Sequence, residues 1–283
     1  MTIPESVTTI GWNAFRGCTG LTSISIPTSV TDIGQYAFEG CTGLTSLVIP
    51  EGVTRVGQSA FQKCTGLTSI IIPRALSWIP EFCFQGCTSL ASIVLPEGVE
   101  IISKSAFKGC TGLLSVSIPE SVRGIRYQAF EDCSNLCSIN LPDGLKTIES
   151  STFRNCSKLA SINIPEGITN IGDYAFAGCK SLMSVVSHIK EPFTINSTIF
   201  TPGSGKLYVP KGTGVAYVRA GWTLDIFKGG IYEMEATVVE DIYDSPEDVD
   251  DARAGIFDLQ GRKLNVAPRR GMYIQNGKKV LVK

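Results

Sequence analysis

Cysteine is the residue type in this sequence whose number and spacing most readily suggest chemistry. The chain contains ten cysteines, and eight of them recur at a step of 23 residues: Cys18, Cys41, Cys64, Cys87, Cys110, Cys133, Cys156 and Cys179. Thiols form disulfides, act as nucleophiles and bind zinc. A zinc site needs cysteine pairs at short spacing, and this regular column does not provide them.

The column arrangement favours buried, reduced thiols over a disulfide framework. If the units stack as neighbouring strands, equivalent residues lie about 5 Å apart, so geometry alone does not forbid disulfides between units. A cysteine at the same place in every unit nevertheless points into the core, where free cysteine behaves as a small apolar residue. Cys83 and Cys137 lie outside the column, and they are the candidates for more reactive thiols.

Other catalytic chemistry finds little support in the sequence. An enzyme needs acid–base or nucleophilic groups that converge in a pocket, and the only histidine is His188. There is no nucleophile elbow, phosphate loop or metal-ligand spacing, so we predict no catalytic, cofactor-binding or metal-binding residues. The net charge of −1 and the lack of a basic stripe argue against a nucleic-acid partner. No apolar run is long enough to form a transmembrane segment.

The cysteines belong to a repeat that organises most of the chain. Prolines fall at Pro4, Pro27, Pro50, Pro73, Pro96, Pro119, Pro142 and Pro165, and phenylalanines at Phe15, Phe38, Phe61, Phe84, Phe107, Phe130, Phe153 and Phe176. Eight copies with one period and no insertion are typical of a stacked solenoid.

Each unit contains two short extended segments. A Leu-x-x-Ile-x-Ile spacing predicts a strand with one buried face, and the proline after it closes the strand because it cannot donate to a ladder. The segment ending at Ile33 is a second short extended stretch, and Gly34 permits the turn that follows. No unit can bury its apolar face alone, so stability comes from stacked neighbours.

The pattern Ile-Pro-x-x-Val-Thr-x-Ile-Gly-x-x-Ala-Phe-x-Gly-Cys-Thr-x-Leu-Thr-Ser-Ile resembles the BspA-like leucine-rich repeat of Bacteroidetes-type surface proteins over residues 1–187. The resemblance implies a right-handed leucine-rich repeat solenoid of eight 23-residue repeats and a degenerate capping repeat. Its parallel sheet would form the concave face, with short strands and turns on the convex face. The family association implies attachment to host proteins, host cells or other bacteria, at an extracellular or cell-surface location. An export signal is not present in this sequence.

Beyond the repeats the sequence predicts three further segments. Residues 188–239 read as a degenerate last repeat and C-terminal cap, with Leu207 to Pro210 as the last strand and a helix near 214–221. Residues 240–251, of which seven of twelve are acidic, are interpreted as a linker. Residues 252–283 are predicted to form a small β-hairpin module with a turn at Asn276-Gly277. This module resembles Bacteroidetes sorting or anchoring tails, the alternative being a plain β-domain.

Two function classes remain open: a binding module that attaches to a protein or cell-surface macromolecule, and a structural spacer without a specific ligand. The outward strand positions decide between them. One column is serine in all eight units, whereas the other changes from apolar to polar along the chain: Ser25, Val48, Ile71, Val94, Ser117, Asn140, Asn163 and Val186. This gradient favours binding.

An acidic column follows each strand's proline. It comprises Glu5, Thr28, Glu51, Arg74, Glu97, Glu120, Asp143 and Glu166. Either Pro-Glu-Gly and Pro-Asp-Gly are simply good turn formers, or the acids form a lip beside the apolar strip that steers a basic partner, with Arg74 breaking the lip. The candidate partner-binding residues are therefore Val48, Ile71, Val94, Arg74, Glu97, Glu120 and Asp143.

Overall fold

The computed structural model describes residues 1–234, 256–257, 263–264, 271–275 and 278–282. The chain divides into two compact units, Met1–Ala236 and Thr237–Lys283, and each is treated by itself. The segment 240–251, predicted as an acidic linker, lies outside the described residues. Within the described residues, no helix has the length and apolarity needed to cross a bilayer.

The elements are short and follow one another regularly. In chain order they are β1 (Thr9–Ile10), β2 (Asp32–Ile33), β3 (Ser46–Val48), β4 (Arg55–Val56), β5 (Ser69–Ile71), β6 (Trp78–Ile79), β7 (Ser92–Val94), β8 (Ile101–Ile102), β9 (Ser115–Ser117), β10 (Gly124–Ile125), β11 (Ser138–Ile139), β12 (Thr147–Ile148), β13 (Ser161–Ile164), β14 (Asn170–Ile171), β15 (Ser184–Ser187), β16 (Lys206–Val209), α1 (Gly214–Arg219), β17 (Ile231–Glu233), β18 (Ile256–Phe257), β19 (Lys263–Leu264), β20 (Gly271–Gln275) and β21 (Lys278–Val282).

Two stacks of parallel strands build the first unit. The main sheet consists of the ladders β3–β5, β7–β9–β11 and β13–β15–β16–β17, and the side sheet of β1–β2–β4 and β6–β8–β10–β12–β14. Paired residues within the repeats are 23 positions apart, as in Leu47 with Ile70. Strands pair this way because identical units stack in register, and the chain is a leucine-rich repeat solenoid of about ten turns.

A column of phenylalanine rings fills the centre of the solenoid. Adjacent rings from Phe15 to Phe200 stack with centroids 5.1 to 5.7 Å apart and interplanar angles of 3 to 15°. Seven of the predicted rings, from Phe38 to Phe176, are almost fully buried. Such offset stacking adds to the free energy gained by burying each ring.

The glycine after each side-sheet strand has a different reason from the predicted one. Gly34 does not adopt a positive φ; that conformation falls two residues later, at Tyr36, with φ of 56°. A Cβ atom on Gly34 would lie 2.8 Å from the carbonyl carbon of Gly11 in the preceding turn. Close stacking of successive turns therefore selects glycine at this position.

The last turns close the core with aromatic residues. Tyr217, on the predicted helix, and Trp222 are fully buried. The Tyr217 hydroxyl donates to the Ile189 carbonyl oxygen at 2.8 Å and lies 2.5 Å from the Ser187 hydroxyl. Burial raises the pKa of Tyr217 to about 12. The predicted last strand is present as β16, but the solenoid adds a further strand, β17, that the sequence did not predict.

The second unit forms an antiparallel sheet. Its strand order is β19–β18–β20–β21. Strands β20 and β21 pair from Gly271 with Val282 to Gln275 with Lys278. This pairing confirms the predicted hairpin.

Candidate binding surface

The predicted apolar strip lies on the outer face of the main sheet. Val48, Ile71 and Val94 are 59%, 58% and 71% exposed, and they occupy equivalent positions of β3, β5 and β7. The next equivalent residues, Ser117 and Asn140, line a shallow open depression over β9 and β11. The main sheet therefore presents an apolar part followed by a hydroxyl- and amide-lined part.

The acidic column has a role in the backbone that the sequence analysis did not foresee. The Arg74 N–H donates to the Glu51 carboxylate at 2.9 Å, and the Asp143 N–H donates to the Glu120 carboxylate at 3.3 Å. An acid at this position can thus satisfy a backbone donor of the next turn. The expectation that nothing in the fold requires an acid here is wrong for Glu51 and Glu120.

The remaining acidic candidates are surface residues. Glu97 and Asp143 are exposed, as is Arg74 between Glu51 and Glu97 in the column. In the part of the chain that the structure describes, neither Glu97 nor Asp143 takes part in an ion pair. Their carboxylates lie beyond the strand ends that carry the apolar strip, so the structure brings these two parts of the predicted site to one edge of the main sheet.

A second apolar column on this face was missed. It precedes the serine column and includes Leu114, which is 51% exposed, Cys137, Ala160 and Met183, which is 69% exposed. Backbone hydrogen bonds connect successive members, from Cys137 to Leu114, Ala160 to Cys137 and Met183 to Ala160. The step of 23 residues in the sequence would have revealed it, had the position before each serine been read as outward.

Two tyrosines at the end of the main sheet were also missed. Tyr208 on β16 and Tyr232 on β17 continue the column of the apolar strip, and their ring centroids are 5.6 Å apart. They follow Val186 at intervals of 22 and 24 residues. The fixed repeat could not place them, because the period changes at this point.

The comparison with protein families now decides what kind of repeat this is. Residues 1–90 and 77–203 match the model of the BspA type leucine-rich repeat region, in six copies. The chain belongs to the BspA-type leucine-rich repeat family. This confirms the resemblance stated for the repeats, whereas the resemblance of the C-terminal segment to sorting tails stays a prediction.

Solved structures include BspA-type relatives of the same architecture. A leucine-rich repeat protein of T. pallidum is 33% identical, over 62% of this chain and 82% of its own, with a TM-score of 0.57. A leucine-rich repeat protein from Bacteroides ovatus is 24% identical, over 83% and 77%, with a TM-score of 0.37. A leucine rich cell surface protein from Faecalibacterium prausnitzii is 23% identical, over 83% and 88%, with a TM-score of 0.43. No curated protein matches the chain.

The cysteine column of this BspA-type chain is a ladder of buried thiol donors. Each thiol from Cys41 to Cys179 donates to the carbonyl oxygen of the phenylalanine in the preceding turn, at 3.0 to 3.2 Å. Burial, reinforced by the neighbouring thiols, raises the pKa of Cys41 to about 11 and of Cys64 to about 12. These thiols are structural, because neutral sulfur in an apolar site is a poor nucleophile.

Two expectations about the cysteines are wrong. Cys18 belongs to the column but is exposed, because the first turn has a neighbour on one side only. Cys83 was a candidate for a reactive thiol, yet it occupies the alanine position beside Phe84 and is buried, which raises its pKa. Cys137 is exposed on the main sheet, as a reactive thiol requires.

We expect a thiol reagent to count these environments. At a pH of about 8, where thiols of ordinary pKa are partly ionised, two of the ten cysteines, Cys18 and Cys137, should react in the folded protein. All ten should react after unfolding in denaturant. Mass spectrometry of the labelled protein measures both numbers, and a Cys18→Ser/Cys137→Ser variant serves as the control that should stay unlabelled. Pairs of missing labels in the unfolded protein would instead indicate disulfides.

The described residues contain no group of three or more His, Cys, Asp or Glu side chains arranged to hold a metal ion. His188 is half-buried at the end of β15. The chemistry that the surface offers is therefore that of recognition: exposed apolar side chains, serine hydroxyls, amides and carboxylates on one sheet.

Proposed function

We propose that this chain is a non-catalytic, secreted or cell-surface binding protein that attaches through its main sheet to a macromolecule of a host protein, host cell or other bacterium. The observation that carries the proposal is the exposure of Val48, Ile71 and Val94 side by side on adjacent strands. Contiguous exposed apolar residues mark interaction sites in soluble proteins. The family association with surface attachment agrees with this role.

A structural spacer is the alternative, and one observation favours it. The serine column from Ser23 to Ser184 does not vary among the eight repeats, as expected if repeats supply length alone. The spacer explanation gives no reason for β-branched apolar residues at outward positions that serine or asparagine fills elsewhere. Binding accounts for both columns, because serine keeps the rest of the face soluble.

The acidic lip is proposed to steer a basic partner toward the apolar strip. Glu97 and Asp143 carry this role, since Glu51 and Glu120 already accept backbone N–H groups. Arg74 would set the position of the partner by interrupting the lip. Exposed charges of this kind change the association rate and its salt dependence more than the final affinity.

The test separates the apolar strip from the lip. We expect Val48→Ser/Ile71→Ser/Val94→Ser to lower capture of host matrix proteins, immobilised glycans or bacterial cells by about tenfold or more, as loss of an interface core does. Glu97→Gln/Asp143→Asn should slow association by several-fold at low salt and have little effect at high salt. Surface plasmon resonance and cell-binding assays measure both quantities.

A matched control lies on α1, where Val215 and Val218 are exposed apolar residues away from the main sheet. Val215→Ser/Val218→Ser should leave capture unchanged. Equal loss in the control and the strip variant, or capture that survives the strip variant, would leave the spacer as the better explanation. Melting temperatures within a few degrees of the parent confirm that every variant is folded.

The second unit is proposed to serve in sorting or anchoring at the cell surface. Its antiparallel strands β20 and β21 are compatible with the small β-module that such tails form. The resemblance of residues 252–283 to Bacteroidetes tails supports this role, and a plain β-domain is the alternative.

A further inference from the structure

The last two turns of the solenoid carry a surface distinct from the apolar strip. Tyr208 and Tyr232 pair in register on β16 and β17, with rings 29° from parallel. The Lys206 N–H donates to the Met183 carbonyl oxygen, and the Gly229 N–H donates to the Gly205 carbonyl oxygen, so neighbouring turns bring Met183, Lys206 and Lys228 beside the tyrosines. We call Met183, Lys206, Tyr208, Lys228 and Tyr232 the tyrosine platform.

The ring of Tyr232 is exposed yet held in one orientation. It is 45% exposed, and its hydroxyl donates to the Gly229 carbonyl oxygen at 3.1 Å. A Cβ atom on Gly230 would lie 2.9 Å from Cε2 of this ring, and Gly230 has φ of 102°. A glycine thus makes room for an aromatic side chain that lies on the surface. A side chain fixed before binding loses less conformational entropy when a partner arrives.

The charge around the platform is positive. The Lys206 ammonium lies 5.4 Å from the centroid of the Tyr232 ring, a cation–π contact. Lys206 and Lys228 are exposed, as are Lys158 and Lys180 in the two preceding repeats, and none of the four forms an ion pair within residues 1–234. The adjacent carboxylate of Glu233 accepts the N–H groups of Gly212 and Gly214, each at 2.9 Å.

These features fit one class of ligand. Tyrosine and methionine are enriched at protein interfaces, where methionine adapts to varied apolar partners. Lysine ammonium groups pair with carboxylates as point charges, whereas phosphate recognition favours the bidentate fork of arginine, which the platform lacks. We propose that the tyrosine platform binds an acidic polypeptide segment of a partner protein, with apolar or aromatic side chains between its carboxylates.

The test uses the full chain and a labelled synthetic peptide of alternating Glu and Phe or Leu residues. We expect saturable binding by fluorescence anisotropy that weakens as salt is raised. Tyr232→Ala and Lys206→Gln/Lys228→Gln should each raise Kd by about tenfold, the size of a moderate interface residue. Tyr232→Phe, which removes only the hydroxyl that holds the ring, should raise Kd by about two- to threefold through lost preorganisation.

Controls and competing ligands complete the design. Tyr127→Ala and Lys63→Gln change an exposed tyrosine and an exposed lysine off the main sheet, and they should leave Kd unchanged. The same peptide with Gln in place of Glu should bind at least tenfold more weakly. Equal binding of the two peptides, or unchanged Kd in the platform variants, would overturn the proposal. Tighter binding of a heparin fragment or a single-stranded DNA oligonucleotide would overturn the assignment to polypeptide. Because no apolar-strip residue is altered, this outcome is independent of the proposed main-sheet function.

Discussion

Raising the pH above about 9 should unfold the solenoid cooperatively, because unfolding releases eight buried thiols to ionise. Burial raises the pKa of Cys41 to about 11, and those of Cys64 and Cys179 to about 12, from an ordinary value of 9.0. A group whose pKa is higher in the folded state stabilises fully below its unfolded pKa. That stabilisation is lost as the pH rises toward the folded pKa.

The expected size of this loss is large compared with the stability of a protein. Between the two pKa values, each buried thiol removes about 1.4 kcal/mol of unfolding free energy per pH unit. With eight buried thiols, the combined slope is about 10 kcal/mol per pH unit, against a typical total of about 5–15 kcal/mol. We therefore expect the midpoint of alkaline unfolding near pH 10, measured by circular dichroism at constant ionic strength.

Tyrosine and lysine also titrate near pH 10, so the slope needs a control that isolates the thiols. Cys110→Ala/Cys133→Ala removes two buried thiols and keeps two small apolar side chains in the column. The slope of unfolding free energy against pH should fall by about 2.7 kcal/mol per pH unit in this variant. A slope that does not change would mean that the thiols are not what ties stability to pH.

The repeat columns could be predicted from the sequence because every unit has the same length. Once Phe38, Cys41 and Leu44 are assigned to the core in one turn, the period assigns their equivalents in all complete turns, and these side chains are buried. The exposure of Val48 follows in the same way, from the alternation of side chains along a strand. What the period cannot supply is the environment of a turn that has only one neighbour, which is why Cys18 was assigned to the core.

The candidate site was only partly predictable for the same physical reason. The carboxylate of Glu51 accepts an N–H of the next turn, a contact that depends on the distance between turns and not on sequence spacing. Tyr232 meets Tyr208 across a step of 24 residues, because the chain makes a helix and a cap between β16 and β17. Sequence columns end where such an insertion begins, whereas hydrogen-bonded register continues through it.

Truncating a central ring of the phenylalanine column should cost far more than truncating the first. Phe107 is fully buried, with ring centroids of Phe84 and Phe130 at 5.4 and 5.3 Å. Phe107→Ala should lower the free energy of unfolding by about 3–5 kcal/mol, as large-to-small changes in cores do. Phe15 is half-buried and stacks only on Phe38, at 5.1 Å, so Phe15→Ala should cost about 1–2 kcal/mol.

The contrast between the two sites tests how stability is distributed along the solenoid. If stability is a sum of turns and their nearest-neighbour interfaces, a cavity at Phe107 weakens two interfaces and divides the stack, whereas loss of Phe15 frays one end. Urea unfolding followed by circular dichroism gives both values, and hydrogen exchange shows which turns open. Phe107→Leu, which leaves a smaller cavity, should lie between parent and Phe107→Ala. Equal losses at Phe15 and Phe107 would mean that the turns unfold as one body, with no weaker end.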